Sequence, residues 1–359
     1  MEPLALHDIH QRAGATFGEL NGREVVLRFG EENAYPAARS AVVLADLSSR
    51  QLLRITGEDR ASFLHGMCTN DVKGLPEGTA TYAAMLTPKG AMVCDARIWR
   101  RADDLLLDFE PGLGTKAKEF LEKYLISEDA ELHDDSAGYG LLGVYGPKAG
   151  ALLRQALGLS AAPERNRFVP VPFMPAPGSE AQTVLAVGAD LVVPGGVELL
   201  VPHGVLAALH QRLTELGGPL GLRPIGFEAL EVLRVEAGVP RYGQDMEDKT
   251  IPLEANLERA IHYNKGCYIG QEVIARATFR GHMNRKLTGL LLGEQQPAPQ
   301  AELRSGEKKV GWITSVVRSP AKGQNVALGY VHRDFLQPGT KLQVVGHGEA
   351  EVQPLPFVG

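Results

Sequence analysis

The stretch from about residue 280 to the C-terminus constrains the fold most. "RKLTGLLLG", "AELRSG", "KKVGWITSVVRS", "QNVALGYVH" and "TKLQVVG" follow one another as short β-prone runs separated by turns. Such strands leave unpaired edges unless they close on themselves, so the pattern predicts a small closed or nearly closed β-barrel. The preceding residues mix both kinds of element, which makes the chain α+β. "VVLRFG" and "QLLRITG" read as strands ended by glycine, and Asp59 is placed to cap a helix that includes Phe63, Leu64 and Met67. Residues 81–110 read as three strands, the first two joined by a turn at Pro88-Lys89-Gly90. "GTKAKEFLEKYLI" (114–126) has the apolar period of a helix. Residues 160–179 are rich in proline and read as a surface loop. "GFEALEVLRVEAGVP" predicts a helix that carries Arg234 and ends before Pro240.

Composition narrows the function. The net charge of -6 over 359 residues argues against non-specific binding to nucleic acid, which calls for a basic surface. The 3 cysteines are odd in number and widely spaced, so a disulfide framework is not expected and a reducing compartment is. With no apolar leader and no membrane span, the expected location is the cytoplasm. No phosphate loop, dinucleotide fingerprint or G-x-S-x-G elbow is present, which removes support for nucleotide-driven and triad chemistry.

Two residues are candidates for catalysis. Cys267 lies in "NKGCYIGQEVIAR" (264–276), between glycines that permit close approach of a ligand and beside Lys265, whose charge favours a thiolate. A small apolar filler where two segments meet is the competing reading, and a metal role lacks neighbouring ligands. Asp95 falls within a strand pattern, with Val93 on its face and Cys94 on the other. Facing inward it needs a partner or a ligand amine, whereas at an edge it is solvated. Asp245, Glu247 and Asp248 read as a solvated acidic loop, and Glu254 as a helix-opening charge.

Several stretches resemble a known family. "VVLADLSSRQLLRITGEDRASFLHGMCTNDV", "LRVEAGVPRYGQDM", "IPLEANL", "VGWITSVVRSP" and "ALGYV" are similar to segments of the aminomethyltransferase family, the T-protein of the glycine cleavage system. "KGCYIGQEVIAR" is similar to the signature of its YgfZ-type folate-binding relatives, which are linked to iron-sulfur cluster assembly or repair and to tRNA modification. The resemblance implies a three-part fold around a central opening. Residues 1–135 with 215–280 would be folate-binding α/β parts, 136–214 a second α/β part and 281–359 the barrel. It implies tetrahydrofolate as cofactor, with Asp95, Glu198, Arg234, Glu254, Lys265 and Tyr268 as candidate contacts. It also implies iron-sulfur proteins or their assembly machinery as partners.

Two positions depart from the family pattern. Cys94 replaces the first of a paired set of acids, leaving Asp95, and Pro194 replaces a pterin-contacting glutamate, leaving Glu198. The expected function is therefore a folate-binding accessory factor for iron-sulfur cluster assembly or repair. The alternative is a tetrahydrofolate-dependent aminomethyltransferase or demethylase, and whether the chain is an enzyme stays open at this level.

Overall fold

The computed structural model describes residues 2–30, 34–189, 192–193, 195–279 and 281–358. The chain forms two compact units. One contains Met1–Leu64, Val72–Thr81 and Ala96–Leu230, and the other His65–Asp71, Tyr82–Asp95 and Glu231–Gly359.

The first unit is built on a six-stranded sheet. Its strand order is Phe168–Phe173, Gln182–Gly188, Val197–Pro202, Tyr139–Tyr145, Val42–Asp46 and Leu222–Ile225. Helices Ala149–Leu157 and His203–Gly217 bury Leu152, Leu153, Leu206 and Leu209 in a core that also holds Val42, Val144 and Leu199. The proline-rich segment read as a loop is in part the Phe168–Phe173 strand. Pro170 and Pro172 are exposed and the strand pairs on one side only, so the missing amides face outward at a sheet edge. The expected helix over 114–126 stops at Glu122. Beyond it the Glu128 carboxylate accepts from the amides of Ile126 (3.2 Å) and Ser127 (3.1 Å), drawing the backbone out of the helix. Asp59 does precede the Arg60–Met67 helix, its carbonyl accepting from Phe63 at 2.8 Å. Its carboxylate, however, accepts from the Asp129 amide (2.9 Å) and caps nothing in its own helix.

The second unit contains a closed six-stranded barrel. The order is Arg285–Gly293, Gln324–His332, Lys308–Ser319, Glu302–Ser305, Lys341–Val344 and Glu349–Gln353. Leu290, Leu303, Ile313, Ala327, Val344 and Val352 fill it. Five of these strands were legible as β-prone runs. The sixth, "EAEVQ", is dominated by polar residues, but its Ala350 and Val352 point inward with 0% exposure. It closes the barrel by pairing with both Arg285–Gly293 and Lys341–Val344. The same unit holds the tip of a hairpin, Tyr82–Leu86 and Met92–Asp95, whose turn is fixed by Thr87 N–H to Ala91 O and Gly90 N–H to Thr87 O, both 2.8 Å. Among the described residues no helix is long and apolar enough to cross a membrane.

Candidate functional site

Asp95 is buried, at 8% exposure, on the Met92–Arg100 strand. The alternation expected from sequence holds. Cys94 turns into the core, its Sγ 3.6 Å from Met85 Sδ, while Asp95 meets the Tyr82 hydroxyl, which donates to Oδ2 at 2.6 Å. A hydroxyl bonded to a carboxylate at this distance is a strong, charge-assisted contact. Tyr242 lies within electrostatic reach of Cys94 and Asp95, and its hydroxyl donates to Asp248. Burial, and then Asp248, raise its phenol well above the ordinary tyrosine value.

The backbone around this pair is laced by side chains. Thr69 N–H donates to Ala84 O (2.9 Å), the Ala84 N–H donates to Thr69 Oγ1 (2.9 Å), and that hydroxyl donates to Ala260 O (2.6 Å). Asn70 Nδ2 donates to the carbonyls of Tyr82 (2.9 Å) and Arg259 (3.3 Å). The Arg259 guanidinium lies over the Tyr82 ring, 4.9 Å from its centroid.

The turn 264–270 is anchored rather than free. Lys265 Nζ donates to the carbonyls of Cys68 (2.7 Å), Asn70 (2.9 Å) and His65. Burial lowers its pKa, against the opposing pull of Cys68 and Asp71. Its ammonium also sits 4.9 Å from the Tyr268 ring, whose phenol burial pushes up to about 12. Gly270 has φ +84, and a Cβ there would lie 2.7 Å from Thr87 O. The turn is therefore seated on the hairpin tip. Cys267 is exposed on it, which removes the filler reading. Asp95 lies five residues along the strand from Gly90, roughly 16 Å away at strand rise. The hairpin carries Asp95 on its strand, while Cys267 lies on the separate turn whose Gly270 meets the hairpin tip.

The other candidates are placed as follows. Arg234 is buried and donates to Asp245 Oδ2 (2.6 Å), Val239 O (2.8 Å), Ser315 Oγ (2.9 Å) and Glu231. Burial opposes its charge, but Asp245 and Glu231 outweigh burial and raise its pKa. Asp245, read as part of a solvated loop, is instead the buried hub of this network and accepts also from Thr314 and Ser315. Buried, it requires these donors, as any desolvated carboxylate does. Glu254 is buried and accepts from Arg285 Nη2 at 3.1 Å, and Arg285 lies over Trp312 and Tyr330. Glu198 belongs to the first unit. There it accepts from the Tyr145 hydroxyl (2.8 Å) and from Arg97, which also holds Asp108. Pro194 lies outside the described residues.

Sequence reasoning missed Tyr82, Tyr242 and Arg259. For Tyr82 the local pattern carried no signal, since a regular antiparallel register about Thr87 and Ala91 sets position 82 opposite position 96 rather than 95.

The fold and site define a mixed α/β protein with a closed C-terminal barrel and a buried carboxylate on a β-hairpin. Residues 6–265 match the GCVT N-terminal domain, and residues 285–358 match the glycine cleavage T-protein C-terminal barrel domain. The chain is 30% identical to an aminomethyltransferase of Chlorobium luteolum, over 100% of this chain and 99% of that protein. It is 31% identical to one of Saccharopolyspora erythraea, over 98% and 96%. The crystal structure of the glycine cleavage system aminomethyltransferase T from Bartonella henselae superposes with a TM-score of 0.87 at 25% identity, covering 99% of this chain and 98% of that one. The chain belongs to the aminomethyltransferase family of glycine cleavage T-proteins.

Proposed function

We propose that this protein transfers a one-carbon unit from an amine to tetrahydrofolate, a reading that its relatives' name, aminomethyltransferase, supports for the transfer, with Asp95 as the acid–base residue. The observation that carries the reading is the buried Asp95 carboxylate held by Tyr82. The residues fit the pterin in kind. A carboxylate accepts N–H groups, and the ring of Tyr82 beside it is flat. Tetrahydrofolate would supply the nitrogens that take up the carbon. Asp95 holds the proton that the departing amine needs or releases, and Tyr82 fixes the carboxylate's orientation. Position 94 points into the core, so a single carboxylate serves where the family pattern has two acids. Asp95→Asn should lower turnover of an aminomethyl donor at saturating tetrahydrofolate on the order of 10²- to 10⁴-fold. Turnover equal to wild type would remove Asp95 from the chemistry.

The exposure of Cys267 favours a second reading, that of a YgfZ-type accessory factor for iron-sulfur cluster assembly or repair. Among the described residues no group of three or more His, Cys, Asp or Glu is arranged to hold a metal. A cluster would therefore be shared with the ligands of a partner iron-sulfur protein. In cells, Cys267→Ala should lower the activity of cluster-dependent enzymes and of cluster-dependent tRNA modification. Unchanged activity with the variant present at normal level would end this reading.

A further inference from the structure

The Arg259 guanidinium lies over the ring of Tyr82, whose hydroxyl holds Asp95. No carboxylate among the described residues pairs with its guanidinium, and the adjacent Glu258 is taken by Lys286 at 2.9 Å. The side chain rests on the Tyr82 ring, and its backbone is tied through Asn70 to the same tyrosine. An arginine on an aromatic face keeps its in-plane N–H donors available, in a fork that fits a carboxylate. Tyr82 therefore carries an anionic group on its hydroxyl and a cation on its ring. That arrangement is complementary to a ligand with an amine at one end and an acid at the other.

We propose that Arg259 is a carboxylate-binding residue of the Asp95 site, taking the acid group of a ligand whose amine lies at Asp95. The inference rests on the one-carbon transfer reading and deepens it by naming a substrate class, an amine that carries a carboxylate. Two sources present this chemistry: a short zwitterionic donor, and the glutamyl tail of the folate itself. Unlike Arg234, whose donors go to Asp245, Glu231, Val239 and Ser315, the Arg259 guanidinium has no such internal engagement among the described residues. Its replacement leaves no buried acid unpaired, so an Arg259→Gln variant should fold as wild type does.

The test is calorimetry on wild-type and Arg259→Gln protein with four probes: 5-aminopentanoate, 5-aminopentanamide, tetrahydrofolate and tetrahydropteroate, which lacks the glutamyl tail. If the donor supplies the carboxylate, 5-aminopentanoate binds wild type and its affinity falls at least about tenfold in Arg259→Gln, while the amide binds both proteins alike. If the folate tail supplies it, tetrahydrofolate weakens by a similar factor in the variant and tetrahydropteroate does not. Equal affinities of both proteins for every probe, including no binding of 5-aminopentanoate to either, overturn the proposal. Turnover is measured separately with an aminomethyl donor. Its absence in wild type counts against the transfer reading and leaves the binding comparison to decide the role of Arg259.

Discussion

At the scale of single residues, the account turns on how each polar side chain is engaged. The Tyr82 hydroxyl is the contact that orients Asp95. A hydrogen bond to a charged acceptor contributes about 1.5–3 kcal/mol, so Tyr82→Phe should slow folate-dependent turnover on the order of ten- to a hundredfold. Circular dichroism should match wild type, and an unchanged rate would show that Asp95 needs no such support. Lys265 entered as a candidate folate contact through the family resemblance. Its ammonium is instead given to three carbonyls, an engagement no local pattern announces because the acceptors lie near residues 65–70. Lys265→Met should lower stability by about 1–3 kcal/mol in urea denaturation, since it strands buried acceptors. A loss of folate affinity at unchanged stability would instead return Lys265 to the binding site.

At the scale of elements, a cluster in the first unit gives the fold a definite acid response. His10 on the His7–Arg12 helix is 2.8 Å from Asp46 Oδ2 at the end of the Val42–Asp46 strand, and its ring is 5.3 Å from that of His210 on the His203–Gly217 helix. Burial, and then His10, lower the His210 imidazole from 6.5 to about 4. Between those values the unfolded chain takes up the proton first, so stability falls as pH drops through that window, by up to about 3 kcal/mol. Asp46 behaves differently. Burial would raise its pKa, but His10 and Ser48 more than reverse this and hold it below 3.8. Its contribution is present at neutral pH and is lost only in stronger acid. Denaturation midpoints at pH 7 and pH 4.5 should therefore differ in wild type and converge in His210→Phe. An equal pH difference in both proteins would place its cause elsewhere.

Elements were legible in the sequence where apolar period and turn chemistry agreed, as in the Phe227–Glu236 helix and five of the barrel strands. They were illegible where tertiary pairing overrode local preference. The edge strand with Pro170 and Pro172 exists because its neighbour supplies the hydrogen bonds. The closing strand Glu349–Gln353 exists because two partners flank it. In the site, Asp95 was legible as a strand carboxylate with an inward and a solvated-edge placement both open, whereas Tyr82, Tyr242 and Arg259 depend on contacts between distant segments.

At the scale of the whole molecule, both family domains lie in one chain that spans 99% of the length of its Chlorobium luteolum relative. A protein of this family that binds tetrahydrofolate should be stabilised by it through mass action, by about 2.7 kcal/mol at a hundred times the Kd. A thermal shift that grows with tetrahydrofolate concentration checks this, and a flat response would argue for a scaffold without the ligand. The most direct measurement is the rate at which wild-type and Asp95→Asn protein, both saturated with tetrahydrofolate, release ammonia from an aminomethyl donor. The account predicts folate-dependent release by wild type and a loss of about 10²-fold or more in the variant. No release by folate-bound wild type, or equal release by both proteins, would contradict it.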